Sequence, residues 1–253
     1  ASKNWEMKCF DIETAFLNGE KLDRELYVRP PKDLPGINPD SLWKLKRGVF
    51  GLSEAPRLWW LRMSKDLRSV GWKALKTVAA VFILIDKDGK LCGLLCLHVD
   101  DGLVAGKGKY YDEVMEKLKN ISPMKHFKSR EFLFTGRTVI QDQKTGEITV
   151  HQKTYMDKVE SIPITRERRA EKDKALTPSE VTQLRSLTGK LAWPARETTP
   201  HLSFDVSDLQ QRAAGATVET LLTANKVLKK MKQIEMKSHK LLFQKIDLKN
   251  VCL

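Results

Sequence analysis

The sequence predicts an α+β fold, with an antiparallel sheet backed by helices in the first part of the chain and a helical region after it. Short apolar runs separated by turn residues, most clearly over residues 80–105, predict hairpins of largely buried strands. Amphipathic patterns at residues 54–70 and 110–119 predict helices that cover such a sheet. A dense charge run at residues 166–174 reads as a surface linker before a wholly helical pattern, so we place a domain boundary there.

The first predicted domain, residues 1–165, alternates short strands with helices. A short apolar run that ends in Asp11 predicts one strand, and the alternation of apolar and basic residues at 42–46 predicts another, with a proline-rich loop before it. In the helix at 54–70, Pro56 suits the first turn and Gly71 suits the position just past the end. The other strands are predicted at residues 26–28, 80–85, 91–99, 131–140 and 148–151.

The second predicted domain, residues 166–253, is expected to be helical. The segment Thr177-Pro178-Ser179-Glu180 indicates a helix start. Apolar residues at helical spacing then predict helices at residues 181–193, 202–212 and 217–237.

The composition of the chain limits the classes of function that it can have. The chain has 253 residues, 41% of them hydrophobic, and a formal net charge of +13. So basic a chain predicts a polyanionic partner, most often nucleic acid, with a merely soluble basic surface as the alternative. Its four cysteines do not have zinc-ligand spacing, and an intracellular location is expected, either cytoplasmic or nuclear. No apolar run approaches the ~20 residues of a membrane span, and no signal peptide is recognised.

Three aspartates form the candidate catalytic set. Asp100 and Asp101 lie between two apolar runs, and Asp11 ends an earlier one. Gly102 is expected to supply the hairpin turn, which places both carboxylates at the tip. Adjacent buried carboxylates need a cation, and Mg²⁺ prefers oxygen ligands. This set suits two-metal phosphoryl transfer, whereas the alternative is that Asp-Asp-Gly is an ordinary turn.

Four blocks carry a family resemblance, and they occur in the family's order over nearly the whole chain. They are DIETAFLNG at residues 11–19, LKRGVFGLSEAPRLW at 45–59, VDD at 99–101 and LRSLTGKLAW at 184–193, with ELYVRPP at 25–31 in the expected place. With these motifs the chain resembles the reverse transcriptase of copia-type LTR retrotransposons. The resemblance implies a palm with partial fingers in the first domain and a helical thumb or connection region in the second.

The resemblance also implies roles for individual residues. Asp11, Asp100 and Asp101 would be catalytic and would hold two Mg²⁺ ions, with Mn²⁺ as an alternative. Phe16 would exclude a 2′-hydroxyl by its bulk. Glu54 and Arg57 would contact the nucleotide. The family usually has Gln at position 54, so a carboxylate there would repel phosphate unless a cation such as Arg57 paired with it. The family also usually has Tyr where this chain has His98.

The implied partners are an RNA or DNA template with its primer, and deoxynucleoside triphosphates. Five lysines are candidates for nucleic-acid binding, although a solvated basic face is the alternative for each group: Lys44, Lys46, Lys226, Lys229 and Lys230. In the resembled family a fingers segment precedes this region and an RNase H domain follows it, so the chain is expected to be truncated at both ends. The competing functions are a catalytically inactive or domesticated nucleic-acid-binding remnant and, with less support, a basic structural domain.

Overall fold

The computed structural model describes residues 1–38, 40–122, 124–236 and 240–246. The chain forms two compact units, one of residues 3–130 and one that begins at Glu131 and includes the first two residues. The predicted boundary at 165/166 lies inside the second unit. No helix in the described ranges is long and apolar enough to cross a membrane.

The N-terminal unit is built on antiparallel strands. In chain order they are β1 (Met7–Ile12), β2 (Lys21–Val28), β3 (Trp43–Arg47), β4 (Lys73–Ala74), β5 (Val81–Ile85), β6 (Leu91–His98), β7 (Asp101–Gly106) and β8 (Met124–Ser129). Six of them form one sheet in the order β4-β5-β6-β7-β1-β8, while β2 and β3 pair as a separate ribbon. The central hairpin β6–β7 therefore pairs on one side with β5 and on the other with β1, and β8 is an edge strand.

Two helices cover one face of the six-stranded sheet. In α1 (Ala55–Ser69), residues 55, 59, 63 and 67 are buried at four-residue spacing, and α2 (Lys109–Ile121) buries a similar stripe. Both stripes join a core with the inward residues of the strands, including Phe10, Phe82 and Val104. As predicted, Pro56 lies in the first turn of α1, and Gly71 follows its end with a φ of 109°. The predicted antiparallel sheet backed by helices is confirmed.

Gly102 has a different role from the one predicted. It lies inside β7, not in the hairpin turn, and it is directly opposite Phe10 of the neighbouring strand β1. A Cβ at this position would lie 2.0 Å from the Phe10 ring. The glycine is therefore explained by the ring that packs across it, while the turn consists of Val99 and Asp100.

The C-terminal unit combines a second sheet with a helical core. Its elements are β9 (Glu131–Phe134), β10 (Arg137–Gln141), β11 (Ile148–His151), α3 (Lys153–Asp157), α4 (Arg166–Ala170), α5 (Pro178–Glu197), α6 (Ser203–Gln211), α7 (Val218–Met236) and β12 (Leu241–Phe243). The sheet is antiparallel, in the order β12-β11-β10-β9. Lys237, the last residue of the third predicted helix, lies outside the described residues.

Three sequence predictions for this unit were wrong in detail. The single strand predicted at 131–140 is two strands, because the chain turns at Thr135 and Gly136, both with positive φ. The charge run contains a short helix, α4, whose Arg168 forms ion pairs with Glu171 and Glu180. The region after residue 166 is not wholly helical, because β12 pairs with β11.

The unit boundary falls earlier than the sequence suggests because residues before 166 belong to the helical core. Met156, Val159 and Ile162 are buried against α5, α6 and α7. The backbone of Ile162 also exchanges two hydrogen bonds, each 2.9 Å long, with the side chain of Asn225. These contacts join α3 and the segment after it to the helices.

The start of α5 is held by several side-chain hydrogen bonds. Thr177 and Glu180 form a reciprocal capping box, in which each side chain bonds the backbone N–H of the other. The carboxylate of Glu180 also accepts hydrogen bonds from Arg168 at 2.9 and 2.8 Å. Arg168, followed by the capping bonds, lowers the pKa of Glu180 from its usual value of 4.5 to about 2.

We expect Glu180→Gln to reduce the acid sensitivity of folding. Since the pKa of Glu180 is lower in the folded chain, the charged carboxylate stabilises the fold above pH ~4.5, and this contribution is lost as the pH falls towards ~2. Gln keeps the capping bond and removes the charge. Thermal unfolding followed by circular dichroism between pH 7 and pH 2.5 should give a shallower decline in Tm for the variant. Glu160→Gln, at an exposed carboxylate, should keep the wild-type slope, and identical slopes for all three proteins would contradict the prediction.

We expect Gly102→Ala to destabilise the chain by about 1–3 kcal/mol, because the new methyl group overpacks the Phe10 ring. The matched control is Gly189→Ala in α5, where no heavy atom lies within 4 Å of the added Cβ. That change should stabilise the chain by up to ~1 kcal/mol, because Ala is the better helix former. Urea denaturation measures both, and equal midpoints for Gly102→Ala and wild type would show that the ring moves aside without cost.

Candidate active site

The three predicted aspartates meet where β1 and β7 lie side by side. Asp11 of β1 is directly opposite Asp101 of β7, and the two strands are antiparallel. Side chains of directly opposed residues share a face of the sheet, with Cβ atoms roughly 4.5–5.5 Å apart. Phe10 and Ile12, the neighbours of Asp11, are 1% exposed and point into the core. The two carboxylates therefore lie on the opposite face, away from α1 and α2.

Asp100 occupies the hairpin turn and is tied to β1 through its backbone. Its carbonyl oxygen accepts a 2.9 Å hydrogen bond from the N–H of Ile12. Its side chain is exposed, whereas Asp11 and Asp101 are half-buried. The expectation that both hairpin carboxylates are buried was therefore wrong for Asp100, because a turn residue extends beyond the sheet.

The turn itself is strained and is held by a tryptophan. Val99 has a φ of 57°, which is unusual for a β-branched residue. Its carbonyl oxygen accepts a 2.7 Å hydrogen bond from Nε1 of Trp59, a residue of α1 that is 4% exposed. A conformation of this kind persists only where surrounding contacts fix it. The buried indole thus connects the helix layer to the backbone next to the aspartates.

The chemistry of this donor set fits a hard divalent cation. Carboxylate oxygens are the ligands that Mg²⁺ prefers, and here two carboxylates come from adjacent strands and a third from the turn between β6 and β7. Within the described ranges, however, no three His, Cys, Asp or Glu side chains are grouped closely enough to hold a metal ion. The backbone therefore places the aspartates together, while their side chains are not gathered into a formed metal site.

A row of four residues crosses the sheet at this point. His98 of β6 is opposite Asp101, and Lys125 of β8 is opposite Asp11 on its other side. The two carboxylates are thus flanked by a histidine and a lysine. Cys9 lies two residues before Asp11 in β1. Burial raises the pKa of its thiol, while Lys128 lowers that pKa and Asp101 raises it. The pairing of the strands places Lys128 opposite Cys9.

Phe16 lies beside the hairpin, in a short 3-10 helix that spans Ala15–Asn18. Its ring is half-buried and contacts that of Phe50 edge-on, with the centroids 4.9 Å apart. Together with Trp59, Leu97 and Val99, it lines a cavity of about 140 Å³. The predicted aromatic residue is therefore next to the carboxylate hairpin, and it also contributes to packing.

Glu54 is neutralised, but by a residue that the sequence did not indicate. Nε and Nη2 of Arg24, in β2, donate hydrogen bonds of 3.1 and 3.2 Å to its two carboxylate oxygens. Such a fork-to-fork pair is the strong geometry for Arg and a carboxylate. Arg57, the partner considered from the sequence, is exposed on α1. The real pair joins β2 to the residue just before α1, across thirty residues of chain.

The five lysines predicted to bind nucleic acid differ in how far their charge is compensated. In the N-terminal unit, Lys44 is paired with Glu25, whereas Lys46 is exposed and has no ion pair within the described residues. In the C-terminal unit, Lys226 and Lys230 approach acidic groups at 3.8 and 3.0 Å. Lys229, by contrast, is exposed and without an ion pair in the part of α7 whose side chains are described.

Sequence reasoning gave no role to Trp59, Arg24 or Lys125. Trp59 lies within the recognised block at 45–59, yet nothing in the sequence shows that its indole reaches the hairpin. The partners of Arg24 and Lys125 are distant along the chain, so only the fold brings them to the site. For Lys125, the sequence offers only a second lysine three residues later, at position 128.

Comparison with known proteins shows the family of the chain. A family profile described as reverse transcriptase (RNA-dependent DNA polymerase) matches residues 1–170. The chain is 28% identical over 232 residues to the putative transposon Ty5-1 protein of Saccharomyces cerevisiae, covering 87% of this chain and 74% of that protein. It is 23% identical over 238 residues to the retrovirus-related Pol polyprotein from transposon RE1 of Arabidopsis thaliana, covering 90% of this chain and 16% of the polyprotein.

A third relative is the retrovirus-related Pol polyprotein from transposon TNT 1-94 of Nicotiana tabacum, which is 25% identical over 164 residues. That match covers 63% of this chain and 12% of the polyprotein, so the chain corresponds to a small part of the two polyproteins. These matches confirm the resemblance to retrotransposon reverse transcriptases. The chain belongs to the reverse transcriptase (RNA-dependent DNA polymerase) family.

Proposed function

We propose that this chain is the RNA-directed DNA polymerase core of a copia-type element, and that it adds deoxynucleotides to a primer 3′-hydroxyl. The observation that carries the proposal is the register of the central strands. Asp11 opposes Asp101, and the carbonyl oxygen of Asp100 accepts a hydrogen bond from β1, so two carboxylates on adjacent strands lie beside a third in the hairpin turn. In a chain of this family, that placement supports nucleotidyl transfer.

Asp11, Asp100 and Asp101 would hold two Mg²⁺ ions. When bound, such ions lower the pKa of the attacking hydroxyl and neutralise charge on the triphosphate. The contribution of the chain itself is to hold the three carboxylates in place. Trp59 fixes the turn that carries Asp100, and the pairing of β1 with β7 fixes Asp11 against Asp101. The Phe10 ring across Gly102 keeps those two strands packed.

Two neighbouring features support a nucleotide site. Phe16 is positioned by its contact with Phe50 and lines the cavity beside Val99, where its bulk would exclude a 2′-hydroxyl. Glu54 would repel a triphosphate if its charge were free, and Arg24 compensates that charge with two hydrogen bonds. Arg57 is exposed on the first turn of α1 and remains available for a phosphate.

The second candidate function is nucleic-acid binding without catalysis. It is favoured by Glu54, which stands where the family usually has glutamine. His98 in place of the usual tyrosine favours it too. The two candidates predict the same affinity for nucleic acid and differ only in turnover.

We expect the chain to extend a DNA primer on an RNA template in the presence of Mg²⁺. Asp100→Asn with Asp101→Asn, and separately Asp11→Asn, should abolish extension because each removes carboxylates that would hold the ions. Gel analysis of a labelled primer measures the product. The control is Asp88→Asn, in the turn between β5 and β6, which should extend the primer at the wild-type rate.

The binding of labelled primer–template in the same samples separates the outcomes. Extension by wild type and Asp88→Asn alone establishes the polymerase. If no variant and no wild-type sample extends the primer while all bind it, the polymerase proposal is wrong for this chain and the binding function stands.

We expect Arg24→Ala to raise the KM for the deoxynucleotide about fivefold, because Glu54 would then present an uncompensated charge near the triphosphate. Arg24→Ala combined with Glu54→Gln should return KM towards the wild-type value. Steady-state single-nucleotide extension measures both. If the double variant is as impaired as Arg24→Ala, then the arginine acts through the fold or through a direct contact, and the repulsion account fails.

A further inference from the structure

The edge strand β8 contains a β-bulge beside the carboxylates. Where β8 pairs with β1, Lys128 is opposite Cys9 and Lys125 is opposite Asp11. The two lysines are three residues apart on β8, but their partners are only two residues apart on β1. His126, within the longer step, has a φ of 54°. A bulge of this kind redirects the side chains that follow it, and bulges are common next to active sites.

The bulge determines which residues of β8 face the carboxylates. Met124 is buried in the core beneath the sheet, and Phe127 packs against the same core. In a regular strand, Lys125 and Phe127 would share a face. Here Lys125 and Lys128 are instead both exposed and both oppose residues on the Asp11 face. The extra residue thus places two lysines on the carboxylate side while both apolar residues remain in the core.

The charges of these two lysines are available to a ligand. Nζ of Lys125 lies 2.6 Å from a carboxylate oxygen of Glu13, and the two side chains are 54% and 47% exposed. An ion pair so exposed contributes little and is readily exchanged. Lys128 forms no ion pair within the described ranges. An incoming anion therefore competes with a single surface carboxylate.

We propose that Lys125 and Lys128 bind phosphodiester groups of the primer strand, directly beside its reacting end. The proposal rests on the proposed function, because a primer has to end at Asp11 for chemistry to occur there. The lysines are spaced along the edge of the sheet, up to roughly 10 Å apart at ~3.3 Å per residue. A linear row of cations matches a strand of successive phosphates better than a compact triphosphate. In the absence of the primer strand, Lys125 is paired with Glu13.

The test is the affinity for a labelled primer–template duplex in metal-free buffer, measured by fluorescence anisotropy as a function of salt. Lys125→Ala and Lys128→Ala should each weaken binding about fivefold and reduce the slope of log Kd against log salt by about one. Lys117→Ala removes an exposed lysine from α2 and is the matched control, which should bind as wild type. Glu13→Gln should bind more tightly, and this gain should vanish in Glu13→Gln/Lys125→Ala.

The KM for the deoxynucleotide in single-nucleotide extension distinguishes the two sources of phosphate. If KM rises in Lys125→Ala while duplex affinity and salt slope are unchanged, the lysine contacts the triphosphate and the proposal is overturned. It is also overturned if wild type does not bind the duplex, or if both lysine variants match Lys117→Ala. If duplex binding depends on the lysines but no extension occurs, the lysine site is supported and only the polymerase proposal is contradicted.

Discussion

The register between β1 and β7 is the constraint on which the candidate site depends. Residues alternate between faces along a strand, so a slip of one residue would move Asp11 into the helix-covered core and Phe10 out of it. Phe10 prevents that slip, because its ring packs across Gly102, where no other side chain would fit. The same contact that builds the core therefore fixes which carboxylates face each other on the open side.

The hairpin turn that carries Asp100 is also held in place by the helix-covered core. Val99 adopts a φ that is unfavourable for a β-branched residue, and a buried indole from α1 bonds its carbonyl oxygen. Strain at a site of this kind persists because the surrounding packing over-determines it. The position of Asp100 is consequently set from both sides: by the helix layer through Trp59 and by the sheet through the N–H of Ile12.

The sequence was sufficient to predict most elements of the N-terminal unit, and the aspartates it singled out lie on neighbouring segments of the sheet. Apolar periodicity located the helices α1 and α2 and the strands β5 to β7, because each is long or strongly patterned. It failed where non-local contacts decide the structure. The register that pairs Asp11 with Asp101, the Arg24–Glu54 pair and the bulge at His126 all join segments distant along the chain. Gly102 was assigned to a turn because a glycine next to two aspartates has the same local pattern whether it bends the chain or accommodates a ring.

The exposed lysines of β8 also affect how this edge strand can pair with another molecule. Such a strand presents unpaired N–H and C=O groups to solvent, which makes it a template for pairing with another molecule. On β8 the bulge interrupts the regular hydrogen-bonding edge, and two exposed cations lie along it. Two copies of this edge would repel each other and could not form a continuous ladder. The features that suit β8 to a polyanion therefore also oppose edge-to-edge pairing of this strand with another sheet.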